Sequence, residues 1–279
     1  MPIAAVIQMT SAPEVETNLA TARGLLERAR ASGAVLAALP ENFAIMGRKE
    51  AEKLAAAEMP GEGPIQAFLG HCARELGMWI VGGTIPLSVE GEPGRVAAAS
   101  LVFDDAGRCV ARYDKIHLFD VDIPGRDERY RESATTVPGT SPAVVSTPIG
   151  RLGLAVCYDV RFPELFRALQ AAGAEVLSLP SAFTAPTGRA HWELLVRARA
   201  VENLCYVLAP AQGGTHASGR ETWGDSMIVD PWGHVLDRVS AAGPGLALGE
   251  IDRTQQQELR GRFPALSHRK LTIGLPEPT

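Results

Sequence analysis

Three side chains with complementary chemistry occupy one kind of place in the sequence. Glu41 follows the apolar run "AVLAALP", Lys115 follows "CVARYD", and Cys157 follows "LGLAV". Each stands where a strand should end, at the carboxyl edge where open α/β sheets carry their sites. A charged group beside a buried run is costly unless it is paired. A carboxylate and an ammonium converging on one pocket would compensate each other. A thiol between them would then have a base for its proton and a fixed cation beside it. Taken singly, each residue has a blander reading. Glu41 would be an exposed loop carboxylate after Pro40, Lys115 an ordinary surface lysine, and Cys157 a small buried hydrophobe. Only the shared placement favours chemistry. His117 and His191 offer the competing cysteine–histidine pairing. His117, inside "KIHLF", also reads as a hydrogen-bonded structural residue. His191, at the expected start of a helix beside Trp192, reads as a cap or a pocket wall.

Other chemistries lose ground. The 279 residues contain no G-x-S-x-G, no Walker loop, no G-x-G-x-x-G after a strand and no H-E-x-x-H. The four cysteines form no C-x-x-C pair, and no His or Cys cluster has zinc spacing, so no metal site is expected. The 27 Lys and Arg are scattered against 32 Asp and Glu, a net charge of −5, which argues against a nucleic-acid or membrane surface. No apolar run reaches the roughly 18 residues of a membrane span. The start "MPIAAVIQMT" lacks the basic, long apolar pattern of a signal peptide. A cytoplasmic protein with free thiols is the expectation.

The elements that must position these residues follow from periodicity. "AAVIQM" reads as a strand. A helix over 18–31 puts Leu19, Ala22, Leu26 and Ala29 on one face, and Gly33 stops it. "GPIQAFLGHCARELG" is a helix with Pro64 at its first position and Cys72 on its apolar stripe. A meander follows through "MWIVGGTIPL", "VAAASLVFD" and "CVARYDK", with Cys109 beside a turn and read as structural. The segment 116–142 reads as a loop. "RLGLAVCY" is a strand, Pro163 opens a helix, "AEVLSLP" is a strand buried on both faces, and "HWELLVRARAVEN" is a helix. "CYVLAPAQ", "SMIVDP", "HVLDRVS" and "GLALGEI" end the chain as strands, with Cys205 in the core. With no repeat or linker, one α/β domain over 1–279 is expected.

Several blocks in order, "LPENF", "RYDKIHLFDVDIPG", "RES", "GLAVCYDVRFPEL", "PSAF", "AHWELLVRARAVEN" and "GDSMIVDPWG", resemble the signature of the nitrilase, or carbon–nitrogen hydrolase, superfamily, and within it the Nit branch. The resemblance implies a four-layer α-β-β-α sandwich that pairs into a homodimer or higher homo-oligomer. It implies a Glu-Lys-Cys triad of Glu41, Lys115 and Cys157, with Glu132 of "RES" as a second glutamate that orients Lys115 or the substrate amide. It also places Tyr158, Arg161, Phe183 and His191 around the substrate. Arg161 would clamp a substrate carboxylate; its bland alternative is an ion pair with Asp159 or Glu164. "APAQGGTH" leans toward an amidase that cleaves the terminal amide of a small, carboxylate-bearing, deaminated-glutathione-like molecule through a cysteine thioester, releasing ammonia, with no cofactor. The alternatives are an ω-amidase acting on α-ketoglutaramate, a nitrile or N-carbamoyl hydrolase, and a non-catalytic binding module. Arg189 departs from the small residue or proline expected there, close to the anticipated pocket mouth.

Overall fold

The computed structural model describes residues 1–124, 128–240 and 242–271. Gly125, at the end of the "RYDKIHLFDVDIPG" block, and residues 272–279 of the expected domain lie outside them.

Among the described residues, eight strands form one sheet and six form a second. The first sheet has a parallel centre, Ile3–Gln8 beside Ala34–Ala38 beside Trp79–Val81. It continues through Val96–Phe103, antiparallel to Trp79–Val81, and Cys109–Asp114, antiparallel to Val96–Phe103. Two reversals leave Cys109–Asp114 running the same way as Ala34–Ala38. Glu41 and Lys115 therefore emerge from the same edge of the sheet. The second sheet repeats the plan with parallel strands Gly150–Leu154, Val176–Ser178 and Tyr206–Ala209, flanked by antiparallel Ala143–Thr147 and Met227–Val229.

Side-chain alternation makes the layers. Successive residues of a strand face opposite ways. In Ile3–Gln8, Ala5 and Ile7 join a core with Leu25 and Leu26 of the helix Val15–Ala31 and Ile65 and Leu69 of the helix Pro64–Leu76. Ala4 and Val6 instead join a core with Leu152, Leu154, Leu208 and Ile228 of the second sheet. That core also takes Leu165, Phe166 and Leu169 of the helix Pro163–Ala171, and Trp192, Val196 and Ala200 of the helix Ala185–Asn203. The order is helices, sheet, sheet, helices: the expected α-β-β-α sandwich. Cys72 and Cys205 are buried and Cys109 is exposed on its strand; none of the four cysteines forms a disulfide.

Several elements differ from the sequence reading, among them the first helix, which opens at Val15 rather than residue 18. The helix expected to open at His191 opens six residues earlier, because Pro186 and Thr184 start it and Gly188 lets it press against Trp223, where a Cβ would sit 2.2 Å from the tryptophan. The segment 116–142 is not plain loop. It carries a ribbon of Asp120–Asp122 with Arg129–Arg131, a 3-10 turn Glu132–Ala134 and a two-residue strand Thr136–Val137 on the first sheet. The terminal helix Arg253–Arg262 has too few apolar residues for periodicity to reveal; Asp252 caps it by accepting from the amide of Gln255 at 2.9 Å.

Candidate active site

The segment after Ala34–Ala38 turns sharply to expose Glu41. Asn42 holds a left-handed φ of 56° and its amide donates to the Thr84 hydroxyl at 2.8 Å. Gly83 lies so close that a Cβ there would sit 2.0 Å from the Pro40 carbonyl oxygen, so only glycine lets the two segments meet. The Glu41 carbonyl accepts from Gln212 Nε2 at 3.0 Å, and Gln212 also bonds Ser11 through both ends of its amide. The Glu41 backbone is thus tethered by a buried side chain to the segment that follows Tyr206–Ala209 of the second sheet.

Cys157 sits on an equally tight turn. It has φ of 47°, a left-handed conformation that costs a non-glycine residue about 1 kcal/mol or more. Asp159 supplies the compensation. Wholly buried, it accepts from the Val156 amide (2.8 Å), the Tyr113 hydroxyl (2.8 Å), the His117 amide (3.1 Å) and His117 Nδ1 (2.7 Å). The Cys157 amide donates to the Pro180 carbonyl at 2.9 Å. His117 stacks on Phe162 with centroids 3.8 Å apart. The histidine proposed as a rival base is therefore part of the scaffold of the turn.

These elements bring Glu41, Lys115, Glu132 and Cys157 together at one wall of a cavity of about 820 Å³. The Lys115 ammonium, nearly sealed from solvent, donates to Glu41 Oε1 at 2.8 Å and to Glu132 Oε1 and Oε2 at 3.1 and 2.8 Å. Glu132 is in turn fixed by the Phe119 amide at 2.7 Å. Burial opposes the charge on Lys115, but Glu132 and Glu41 outweigh it and hold the lysine protonated, its pKa well above the usual range. Burial likewise opposes the Glu132 carboxylate, and Lys115 and Lys53 overcome it, so its pKa lies below its ordinary value. The Cys157 thiol moves the other way. Burial first, then the Glu41 carboxylate, push its pKa well up, against the pull of Lys115 and the Ala182 amide. With two carboxylates around one ammonium, a thiolate would add a second net negative charge in a buried space. Cys157 therefore rests as a neutral thiol, and Glu41 is the carboxylate that faces it.

The remaining residues sort by position. Tyr158, Arg161 and Phe183 line the cavity. Arg161 lies 5.4 Å above the Phe183 ring and 5.8 Å from that of Tyr158. Asp159 is fully committed elsewhere, and among the described residues Arg161 makes no ion pair; the ion-pair alternative with Asp159 or Glu164 does not hold. His191 does not line the cavity. It is exposed, in the second turn of its helix rather than at the start, and Nδ1 lies 3.3 Å from both terminal nitrogens of Arg161. Arg189 is also outside the lining, because the helix turns it outward onto Trp223, 5.9 Å from the ring centre.

The carbon-nitrogen hydrolase family model matches residues 3–261. The chain belongs to this family. Among curated relatives it is 43% identical over 271 residues to deaminated glutathione amidase of Yersinia enterocolitica, covering 97% of this chain and 94% of that one. It is 45% identical over 273 residues to deaminated glutathione amidase of Homo sapiens, covering 97% and 83%. The Saccharomyces cerevisiae Nit3 structure, a member of branch 10 of the nitrilase superfamily, superposes with a TM-score of 0.86 at 29% identity over 97% of both chains. Asp159, Gln212 and the Ala182 amide were missed in the sequence, since a buried Asp two residues after a cysteine carries no periodic signal and its partners lie 42 and 46 residues away.

Proposed function

We propose that the protein is an amidase that hydrolyses a small carboxylate-bearing amide of the deaminated-glutathione type through a thioester on Cys157. The observation that carries this reading is the Lys115 ammonium, bonded to Glu41 and Glu132 inside the cavity that also holds the thiol. Glu41 takes the proton from Sγ as sulfur attacks the amide carbon. The oxyanion that forms is stabilised by Lys115 and by the Tyr158 N–H, one of the first amides of the 3-10 turn Cys157–Arg161, which have no partner within the turn. Glu41 returns the proton to the departing nitrogen as the C–N bond breaks. It then deprotonates a water that cleaves the thioester. Glu132 keeps Lys115 charged and aimed. A primary amide releases ammonia by this route; deaminated glutathione, whose amide nitrogens are both substituted, releases an amine.

Arg161 clamps the carboxylate of the acyl part, its planar fork matching that group, with Tyr158 and Phe183 as apolar walls. His191 acts on substrate only through Arg161. The chain works as one domain and without a cofactor. We further propose a homodimer, supported by exposed Val201, Trp232 and Phe263, the last two in edge contact at 5.6 Å. A reducing, cytoplasmic setting is supported by the four free thiols.

The test is turnover of deaminated glutathione, followed by release of the α-keto acid, with acid quench and intact mass. The wild type should form product and show an acyl adduct on Cys157. Cys157→Ala should remain folded with no turnover and no adduct. Normal hydrolysis by Cys157→Ala would refute the scheme.

A further inference from the structure

The cavity holds a second guanidinium that the reaction above leaves unused. Arg220 lies at the tip of the hairpin joining Gly213–Thr215 to Glu221–Trp223 and lines the cavity. Its NH2 nitrogen donates to the Ala182 carbonyl at 2.5 Å, and its guanidinium carbon lies 5.1 Å from the Tyr130 ring centre. Its Nε is buried without a hydrogen-bond partner, a costly state for a charged donor. Among the described residues it has no carboxylate within ion-pair distance. The other cavity-lining arginines differ. Arg48 and Arg131 are exposed and paired with Glu14 and Asp122, and Arg129 is exposed. Only Arg161 shares the state of Arg220: half-buried, lining the cavity and without an ion pair among the described residues.

Both guanidiniums are anchored on one short strip. Arg161 stacks on Phe183 and Arg220 bonds the carbonyl of Ala182, the residue whose amide faces the Cys157 thiol. We propose that Arg220 binds a second anionic group of the substrate, on the leaving-group side of the scissile amide, so that the site selects amides carrying one carboxylate on each side of the bond. This rests on the amidase reading and on Arg161 holding the acyl-side carboxylate. The cavity volume, near the upper end of the ~300–1,000 Å³ common for small-ligand sites, leaves room for a leaving group of that length. A carboxylate arriving there would give the guanidinium the counter-charge it lacks among the described residues.

The experiment compares deaminated glutathione with its C-terminal carboxamide, identical except for the distal charge, in wild type, Arg220→Gln and Arg220→Lys. In wild type the carboxylate substrate should be favoured about 10- to 100-fold in kcat/KM, mainly through KM, as a charge-assisted contact warrants. In Arg220→Gln that ratio should collapse toward one, and Arg220→Lys should keep an intermediate ratio. A wild type that hydrolyses both substrates without preference overturns the inference while leaving the amidase reading intact. So does an Arg220→Gln variant that loses rate on both and keeps the ratio, since that would mean Arg220 merely positions Ala182. If Arg220→Gln does not fold, Arg220→Lys decides: an unchanged ratio overturns the inference and a reduced one supports it. A wild type inert on both substrates refutes the amidase reading, and this inference with it.

Discussion

Replacing Lys115 by Met isolates what the ammonium does. Met matches the stem in length and removes only the charge and its donors, leaving the buried Glu41 and the partly buried Glu132 facing the space the ammonium held. Breaking a buried ion pair from one side costs about 3–5 kcal/mol, a large part of the 5–15 kcal/mol that keeps a domain folded. The pH dependence is more telling than the size. In wild type, Glu132 has a lowered pKa, so its stabilising contribution is present above the ordinary carboxylate value near ~4.3 and is lost as pH falls through the lowered value. From pH 5 to 8 that contribution is flat. In Lys115→Met the cation between the two carboxylates is gone and only Lys53 remains near Glu132, so at least one carboxylate should have its pKa raised. Such a group helps stability below its unfolded value and loses that help as pH rises through the raised one. A rise of two units amounts to about 2.7 kcal/mol. Urea unfolding at pH 5, 6, 7 and 8 should therefore show the gap between the proteins widening toward pH 8. Turnover should fall by at least about 10²–10³-fold, the cost of losing one oxyanion donor. A gap independent of pH, or turnover within tenfold of wild type, would refute the electrostatic account of the site.

Further outcomes test other parts. Asp159→Asn removes the charge that holds four donors around the nucleophile turn, so stability should drop by about 3 kcal/mol and kcat should collapse; a stable variant with unaltered kcat would show that the left-handed Cys157 needs no such anchor. Arg161→Met should raise KM for carboxylate-bearing amides about 10- to 100-fold while sparing an analogue with that carboxylate esterified; equal effects on both would remove the clamp.

Much of the molecule was legible because its signals are local. Continuous apolar runs mark the buried strands, Pro64 and Pro163 sit at the first positions of their helices, and Glu41, Lys115 and Cys157 each follow a strand end. The gathering of those three was legible only through the family resemblance, because it depends on strand order and on two sheets facing each other. His117 and His191 looked alike as residue types, and burial against Asp159 alone separates them: one ring is locked beneath the nucleophile turn, the other stands exposed on Arg161. Arg220 was invisible for the same reason, since an arginine in a polar hairpin reads as solvated until its Nε is found enclosed.

Glu41 and Lys115 leave the edge of one sheet, and Cys157 leaves the edge of the other. In the proposed scheme neither half of the sandwich owns a complete reaction: one carries the proton acceptor and the positive charge, the other the sulfur. Reactivity is thus a property of the seam. An error of an ångström in how the halves mate would cost about a hundredfold in rate, so the apolar residues locked between the sheets, Val6 and Leu36 against Leu152 and Leu154, act as the alignment jig for chemistry that none of them touches.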